Sequence, residues 1–582
     1  MLTIAQLQRL KPEEFEEAAE GWHKISSAAG EAKDRIDNEI GLKLRKHEKG
    51  AGVDAAMVRL RRLSGNFHYI QVECGLIRAA LNGLASELRS AQKKLNDALA
   101  EAEAEKFTVK PDGSVHWVSE QAPVPLSAER GATAGQAPLL VDGDPKQAKA
   151  QEYADRIAAA LQEASNADAE YSRTLSRLKA DNDLTATNRD WLDVQKDMGA
   201  VRKAASGYLE LDDIPKGKSP KENADWWRGL TPEERGDYVA LFPASIGALD
   251  GIPADVRDEA NRAVLAEKRA EYQSRLDAIP PEPPMKAPLG KGYGGGPLTP
   301  EWVEWTKKWA DEKAHLEASL RGMDAIQERF DMTGTDGLPE AYLLSFSPEG
   351  NGRAVIANGN PDTADHTAVY VPGTTSNLGN ISGDIGRMTD LWRTSHNLAG
   401  GKNVSTITWL GYDAPQRIVT DAPFSHYADD GAPALNNFLD GLRATHQSDS
   451  GAHTTVIGHS YGTTVIGSAA RQGTLNADDV ILAGSPGVQV GSADEMDVPK
   501  GHVWNQEAKD DPVPDIGRYG HGGSQWRIGG GVGIIPSDEL FGANQMSTDT
   551  TGHSDYWKHG SQSQLNQAAV VVGKYDKVMY ES

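Results

Sequence analysis

Cysteine and long apolar runs are almost absent from this sequence. Cys74 is the single cysteine among 582 residues, so a disulfide framework is excluded. No stretch approaches the roughly 20 apolar residues that a membrane-spanning helix needs. The start, MLTIAQLQRLKPEEF, lacks a basic region followed by an apolar run, so we expect no secretory signal. These absences predict a cytoplasmic protein without a transmembrane segment, with secretion independent of a classical signal peptide as the alternative.

Positive charge is also scarce. Lys plus Arg total 60 against 84 for Asp plus Glu, which gives a formal net charge of -24. So acidic a chain repels phosphate backbones, and we therefore expect no nucleic-acid partner. No clustered His, Asp and Glu motif has metal-ligand spacing, so neither a metal nor a cofactor is expected. Cys74 lies in a helical pattern and is interpreted as a packed thiol.

The first part of the chain has a helical pattern. Residues 1–210 are rich in Ala, Leu, Glu, Lys and Arg, and apolar residues recur at helical spacing from Leu60 to Leu88. So long a helix must bury its apolar stripe, which predicts a helical bundle or coiled coil. A Pro-Asp-Gly sequence predicts a small β-hairpin near 107–117, and residues 119–143 have the composition of a loop.

The composition changes again along the chain and divides the remainder in two. Residues 211–334 are predicted to form a helical connector in which Thr231 caps a helix and 279–300 form a Pro/Gly-rich loop. In residues 335–582, short β-branched runs alternate with helical segments, which predicts a mostly parallel sheet flanked by helices. A site in such a sheet lies at the carboxyl ends of the strands. The predicted strands are 343–346, 354–359, 367–373, 404–411, 454–460, 479–485 and 502–506.

The sequence VIGHSYG places a serine between two glycines, after a β-branched run and before an apolar helical segment. A serine at so sharp a strand-to-helix turn has a strained backbone and an exposed hydroxyl. Side chains at Gly458 and Gly462 would collide with the neighbouring chain. The pattern in this context predicts that Ser460 is a catalytic nucleophile.

A serine hydroxyl is a weak nucleophile, so it needs a histidine base that a carboxylate orients. In this class of fold the order along the chain is serine, acid, histidine. His553, in the late segment STDTTGHSDYW, is the predicted base, and His521, in the predicted glycine-rich loop RYGHGGSQW, is the alternative. Asp511 follows the strand-like HVWNQ and is the predicted acid, with Asp510 and Asp515 as rivals.

The reaction also needs N–H donors for an oxyanion. The backbone of Tyr461, which follows the nucleophile, is one predicted donor. The backbone of Thr374, in the turn after the strand-like VYV, is the other, and Gly373 and Thr375 are alternatives. His459, inside the elbow, is interpreted as a local packing residue and not as the base.

Several further motifs resemble those of an actinobacterial α/β-hydrolase family that is catalogued as a domain of unknown function. The resemblance covers roughly residues 220–560. It is carried by WWRGL (226–230), IGALDGIPADVRDEANR (246–262), VPGTT (371–375), TWLGYDAP (408–415), GHSYG (458–462), AGSPG (483–487), DPV (511–513) and HSDYW (553–557). It implies an α/β-hydrolase fold for this region, which the predicted long-helix bundle precedes, and a triad of Ser460, Asp511 and His553. It implies no particular substrate.

The first functional hypothesis is a serine esterase or lipase-like hydrolase. The uncharged residues Tyr461, Trp409, Leu410 and Tyr412 near the elbow favour an apolar acyl group, so a small acyl ester or a lipid is the expected substrate. A thioesterase or an acyltransferase would use the same residues.

The second hypothesis is an interaction protein. The helical region loosely resembles the WxG-type hairpins of type VII secretion proteins, although Trp22 is followed by His23 and Lys24. This resemblance implies a secreted effector or a partner-binding protein. Its bundle would then bind a helical partner or self-associate.

Overall fold

The chain folds into two compact units. The first comprises residues 1–28, 70–183 and 196–213, and the second comprises 29–69, 184–195 and 214–582. Nearly all of the predicted connector, 211–334, thus groups with the sheet. The computed structural model describes residues 2–47, 49–118, 145–178, 185–286, 298–448, 451–523 and 533–581. The predicted loop at 119–143 and residues 287–297 of the loop at 279–300 lie outside the described residues.

Six helices and a hairpin come first along the chain. The helices are α1 (Ile4–Arg9), α2 (Pro12–Arg35), α3 (Gly41–His47), α4 (Ala51–Ala104), α5 (Pro145–Leu175) and α6 (Asn188–Ala204), with a π-helical turn at Ile36–Ile40. Strands β1 (Thr108–Val109) and β2 (Val115–His116) pair antiparallel, which confirms the predicted hairpin. None of the described helices is apolar enough over a sufficient length to cross a membrane.

The long helix α4 carries most of the predicted apolar stripe. Cys74, Leu81, Leu84 and Leu88 are buried. Leu63 differs from the prediction, since it is 43% exposed. Burial raises the pKa of Cys74 to about 11, so its thiol stays protonated as a packed side chain does.

Six further helices precede the main sheet. They are α7 (Pro220–Gly229), α8 (Pro232–Leu241), α9 (Pro243–Gly247), α10 (Ala254–Ala278), α11 (Pro300–Trp305) and α12 (Asp311–Asp331), with a π-helical turn at Thr306–Ala310. The predicted cap of α8 is confirmed, because the Thr231 hydroxyl accepts the Glu234 N–H at 3.2 Å. The Glu234 carboxylate in turn accepts the Thr231 N–H at 2.8 Å, which completes a capping box.

Eight strands form the main sheet. They are β3 (Ala341–Ser347), β4 (Arg353–Asn358), β5 (His366–Val371), β6 (Val404–Leu410), β7 (His453–His459), β8 (Asp479–Ala483), β9 (Val503–Gln506) and β10 (Asn544–Gln545). Their order is β10-β9-β8-β7-β5-β6-β4-β3. Strand β4 runs antiparallel to both neighbours, and the other pairs are parallel. All seven predicted strands are present, and only the two-residue β10 was missed.

Helices cover both faces of this sheet. The remaining helices are α13 (Ser382–Leu398), α14 (His426–Thr445), α15 (Tyr461–Gln472), α16 (Val513–His521) and α17 (Gln562–Val571). On β5, Val369 packs in a cluster with residues of α14 and α15. Its neighbour Tyr370 packs in a cluster with residues of α13 and α17. Because side chains alternate between the faces of a strand, these two clusters lie on opposite sides, as the fold-class prediction requires.

The remaining packing concerns the antiparallel edge. Helices α10 and α12 cover β3 and β4 through a cluster that includes Val264, Leu320, Leu343 and Ile356. Short 3-10 turns lie at Leu211–Asp213, Thr335–Gly337, Pro361–Thr363, Leu378–Asn380, Ala493–Glu495, Glu539–Phe541, Asp555–Trp557 and Tyr575–Lys577. The parallel strands β5, β7, β8 and β9 all end at one edge of the sheet, so the segments that follow them share that edge.

Candidate active site

Ser460 occupies the sharp turn between β7 and α15. Its φ of 54° and ψ of -128° are a conformation that non-glycine residues rarely adopt. A Cβ on Gly458 would lie 2.8 Å from the Thr463 nitrogen, and one on Gly462 would lie 2.1 Å from the Val371 carbonyl oxygen. Glycine is required at both positions because other backbone passes close to the turn on either side of the serine.

His553 and Asp511 meet at the same edge of the sheet. The His553 Nδ1 lies 2.9 Å from Oδ2 and 3.0 Å from Oδ1 of the Asp511 carboxylate. Asp511 is buried, whereas Asp510 and Asp515 are exposed and do not make this contact. A proton on Nδ1 that is held by the carboxylate leaves Nε2 of the neutral ring as an acceptor. The structure thus brings together the predicted base and the first of the three candidate acids.

Two further donors hold the Asp511 carboxylate. The Tyr556 hydroxyl donates to Oδ2 at 2.6 Å, and the Val513 N–H donates to Oδ1 at 3.0 Å. Burial raises the pKa of Asp511, but the hydrogen bonds from His553, Tyr556 and Val513 outweigh it and leave that pKa below its ordinary value. Asp511 is therefore ionised at neutral pH. Tyr556 was not predicted in this role, although it lies in the HSDYW motif.

His459 has a more specific role than the predicted local packing. Its Nε2–H donates to the backbone carbonyl of His553 at 2.7 Å, and the two ring centroids are 4.7 Å apart. Burial lowers the pKa of His459 well below its ordinary value, so the ring is neutral. Since its partner is 94 residues away, no local pattern could have revealed this bond.

The loop after β5 runs against the elbow. A Cβ on Gly373 would lie 2.8 Å from the Ser460 Cβ and 3.1 Å from the Tyr461 nitrogen. The Thr375 N–H donates to the Pro415 carbonyl at 2.7 Å, so this alternative oxyanion donor is engaged elsewhere. Tyr461 begins α15, and the first N–H groups of a helix have no acceptor within it. Thr374, or its alternative Gly373, and Tyr461 thus stay as the predicted donors.

A cavity of about 760 Å³ opens beside Ser460. Its wall includes Ser460, His553, Thr374 and Tyr461. Apolar side chains supply one part of the lining: Ile418, Ala422, Pro423, Pro486, Val513, Ile516 and Tyr519. Polar side chains supply another part: Ser376, Asn380, Asp384 and Arg387.

The residues expected to contact an acyl group need correction. Of the four uncharged residues named from the sequence, only Tyr461 lines the cavity. Trp409, Leu410 and Tyr412 are at most 3% exposed, because they pack in the core of the sheet. The Tyr412 hydroxyl donates to the Pro372 carbonyl at 2.7 Å, so it supports the loop after β5.

His521, the alternative base, also lines the cavity. It ends α16, whereas the glycine-rich sequence around it predicted a loop. Its Nε2–H donates to the Ala422 carbonyl at 2.6 Å, and burial lowers the pKa of His521. It makes no contact with Asp511, so the structure does not place it where a carboxylate would orient it. In the part of the chain that the structure describes, no three His, Cys, Asp or Glu residues are grouped to hold a metal ion.

Comparisons with known proteins agree with this architecture. Residues 347–520 match an alpha/beta hydrolase family. An uncharacterized Mycobacterium bovis protein is 34% identical over 196 residues, which cover 31% of this chain and 73% of that protein. The chain belongs to the alpha/beta hydrolase family. The matched region contains Ser460 and Asp511 and ends before His553.

Two other proteins show how far the likeness extends. An uncharacterized Mycobacterium tuberculosis protein is 30% identical over 399 residues, which are 62% of this chain and 57% of that protein. The chain thus spans little more than half the length of this relative. The crystal structure of a mutant of the esterase rPPE has 13% identity and a TM-score of 0.21, and the alignment covers 42% of this chain and 85% of that chain.

Proposed function

We propose that this chain is a serine hydrolase that cleaves a carboxylic ester through an acyl-enzyme. The observation that carries the proposal is His553, which is hydrogen-bonded to Asp511 and lines the same cavity as a serine in the strained conformation of an elbow. A serine, a histidine and a carboxylate in these positions can perform acyl transfer without a cofactor.

In the proposed reaction, the Ser460 Oγ attacks the ester carbonyl and His553 Nε2 takes its proton. Asp511 stabilises the resulting imidazolium. The N–H groups of Tyr461 and Thr374 stabilise the oxyanion of the tetrahedral intermediate. The C–O bond then breaks, and His553 returns its proton to the departing alkoxide. Water, deprotonated by His553, hydrolyses the acyl-enzyme and regenerates the free serine.

The cavity supports an acyl ester as the substrate. Ile418, Pro423, Ile516 and Tyr519 give part of the wall an apolar surface on which a hydrocarbon chain could pack. The volume of about 760 Å³ accommodates a small or medium-sized ligand. A lipid or another small acyl ester fits both properties.

Covalent labelling tests this proposal. A neutral alkyl fluorophosphonate should label the wild-type chain at Ser460, and Ser460→Ala should abolish the labelling. The same substitution should lower kcat for para-nitrophenyl butyrate by about 10⁴-fold or more, because it removes the attacking atom. Ser376→Ala is the matched control, since Ser376 lines the same cavity. Equal labelling of wild type and Ser460→Ala, both with correct circular dichroism, would contradict the proposal.

A further inference from the structure

Among the described residues that line the cavity, a single one is an arginine or lysine. This is Arg387 on α13, whose side chain is 25% exposed. The single acidic side chain there, Asp384, lies one turn earlier on the same helix. The proposed ester chemistry uses neither residue, and a cation in a mostly uncharged cavity is a feature of recognition.

Three neighbours fix the position of the guanidinium. Its Nη1 donates to the Tyr370 hydroxyl at 2.8 Å and to Asp384 Oδ1 at 3.0 Å. Its central carbon lies 5.1 Å from the centroid of the Trp557 ring. Within the described parts of the chain, Nε and Nη2 have no hydrogen-bond acceptor. The Nη1 group is therefore held by the protein, and the N–H groups on Nε and Nη2 are available to a ligand.

Ring contacts link Arg387 to the predicted base. The Trp557 ring packs edge-to-face on His459 with centroids 5.1 Å apart, and His459 packs on His553 at 4.7 Å. Arg387 and His553 also line the same cavity. In ester cleavage the departing alkoxide must lie beside the histidine that protonates it. The alcohol half of a substrate is therefore the half that extends along the cavity toward Arg387.

We propose that Arg387 binds an anionic group, a carboxylate or a phosphate, in the alcohol half of the ester substrate. This inference rests on the proposed serine hydrolase activity. A guanidinium presents paired N–H donors that match the paired oxygens of either anion. Asp384 opposes the anion electrostatically while it orients Arg387, so it limits how strongly the anion is held.

The test compares three butyrate esters built on one phenol. They are meta-butyryloxybenzoate, meta-butyryloxyphenyl phosphate and the neutral meta-butyryloxybenzamide. For each variant, kcat/KM for each anionic ester is divided by kcat/KM for the amide, so that differences in folded fraction cancel. Arg387→Gln should lower this ratio by about 10-fold or more, because hydrogen bonds to a charged partner are lost. If Arg387→Gln lowers the ratio more for the benzoate ester, the bound anion is a carboxylate. If it lowers the ratio more for the phosphate ester, the bound anion is a phosphate.

Two companion variants separate recognition from structure. Asp384→Asn should raise the anion ratio, because the opposing charge is removed while a polar side chain of the same size stays. Arg387→Lys should restore part of the ratio that Arg387→Gln loses, because it keeps the charge without the fork. If the Arg387–Asp384 ion pair had only a structural role, none of these variants would change the ratio of kcat/KM for the anionic esters to kcat/KM for the amide.

The outcomes are distinguishable from failure of the proposed function. An unchanged ratio in Arg387→Gln, with fluorophosphonate labelling intact, would overturn the role of Arg387 and leave the serine hydrolase standing. No labelling of the wild type would overturn both. If the wild type is labelled but cleaves none of the three esters, protection of Ser460 from labelling replaces turnover. In that case meta-hydroxybenzoate must protect better than meta-hydroxybenzamide, and equal protection refutes the proposal.

Discussion

At the scale of single residues, Gly484 shows how closely the candidate site is packed. It follows β8 with a φ of 57°. A Cβ there would lie 2.8 Å from Asp511 Oδ2 and 3.0 Å from His553 Nδ1. The AGSPG motif alone predicts no role for this glycine, because its neighbours Asp511 and His553 come from two distant loops. Close approach to the acid–base pair is the physical reason for glycine at this position.

Gly484→Ala should therefore impair catalysis more than it impairs folding. The new methyl group would separate His553 from Asp511 or move both, so we expect kcat to fall by about 100-fold or more. The measurement is the turnover of para-nitrophenyl butyrate. Gly573→Ala is the matched control, since Gly573 has a φ of 65° but no atom within 4 Å of an added Cβ. Equal activity of the two variants would show that displacing His553 or Asp511 does not impair catalysis.

Spacing and motif predicted part of the candidate site, and contacts between distant segments supplied the rest. Ser460, Asp511 and His553 could be named because each lies in a recognisable local context. The bond between His459 and the His553 carbonyl and the position of Arg387 depend on chain segments that fold together only in three dimensions. Their partners leave no periodic signal in the sequence.

At the scale of elements, glycines around the site serve close packing. A Cβ on Gly517 in α16 would lie 2.2 Å from the Pro486 Cβ. The glycine-rich sequence RYGHGGSQW predicted a loop, yet its residues up to His521 belong to helix α16. The prediction failed because a glycine that permits close approach and a glycine that permits a turn look the same in a sequence.

The β7–α15 turn gives a prediction about stability. In Gly462→Ala, a Cβ would lie 2.1 Å from the Val371 carbonyl oxygen, so β5 and α15 would have to separate. We expect a loss of about 1 to 3 kcal/mol, seen as a lower urea midpoint. Gly386→Ala, on an exposed position of α13 with nothing within 4 Å, should be neutral or stabilising by up to about 1 kcal/mol. Equal midpoints for the two variants would be evidence against tight packing at the turn.

At the scale of the whole molecule, the chain segments of the two units alternate. Residues 29–69 belong to the unit that contains the sheet, although their composition matches the helical region. Within that unit, Arg61 pairs with Asp331, and Asn38 donates to Glu340 at 3.1 Å. The β-branched runs predicted the sheet correctly, but contacts between residues 270 and 302 positions apart have no local signature. A helical partner, self-association through residues 1–210 and the cellular location stay predictions.

A truncated chain tests this arrangement. The fragment 214–582 should have a lower thermal midpoint than the full chain, because it lacks the segments 29–69 and 184–195 of its own unit. Arg61→Gln in the full chain removes one partly exposed ion pair and should cost about 1 kcal/mol or less. If the fragment melts at the same temperature as the full chain, these two segments contribute nothing to the stability of that unit.

The order of the segments along the chain also determines when the contacts of the sheet-containing unit can form during synthesis. Residues 29–69 leave the ribosome before their partners Asp331 and Glu340 do. At about 5 to 20 residues per second, the roughly 270 residues between Arg61 and Asp331 take on the order of 14 to 54 s to synthesise. For that time Asn38 and Arg61 lack their native partners, so this part of the unit cannot be completed before the segment that contains Asp331 and Glu340 has emerged.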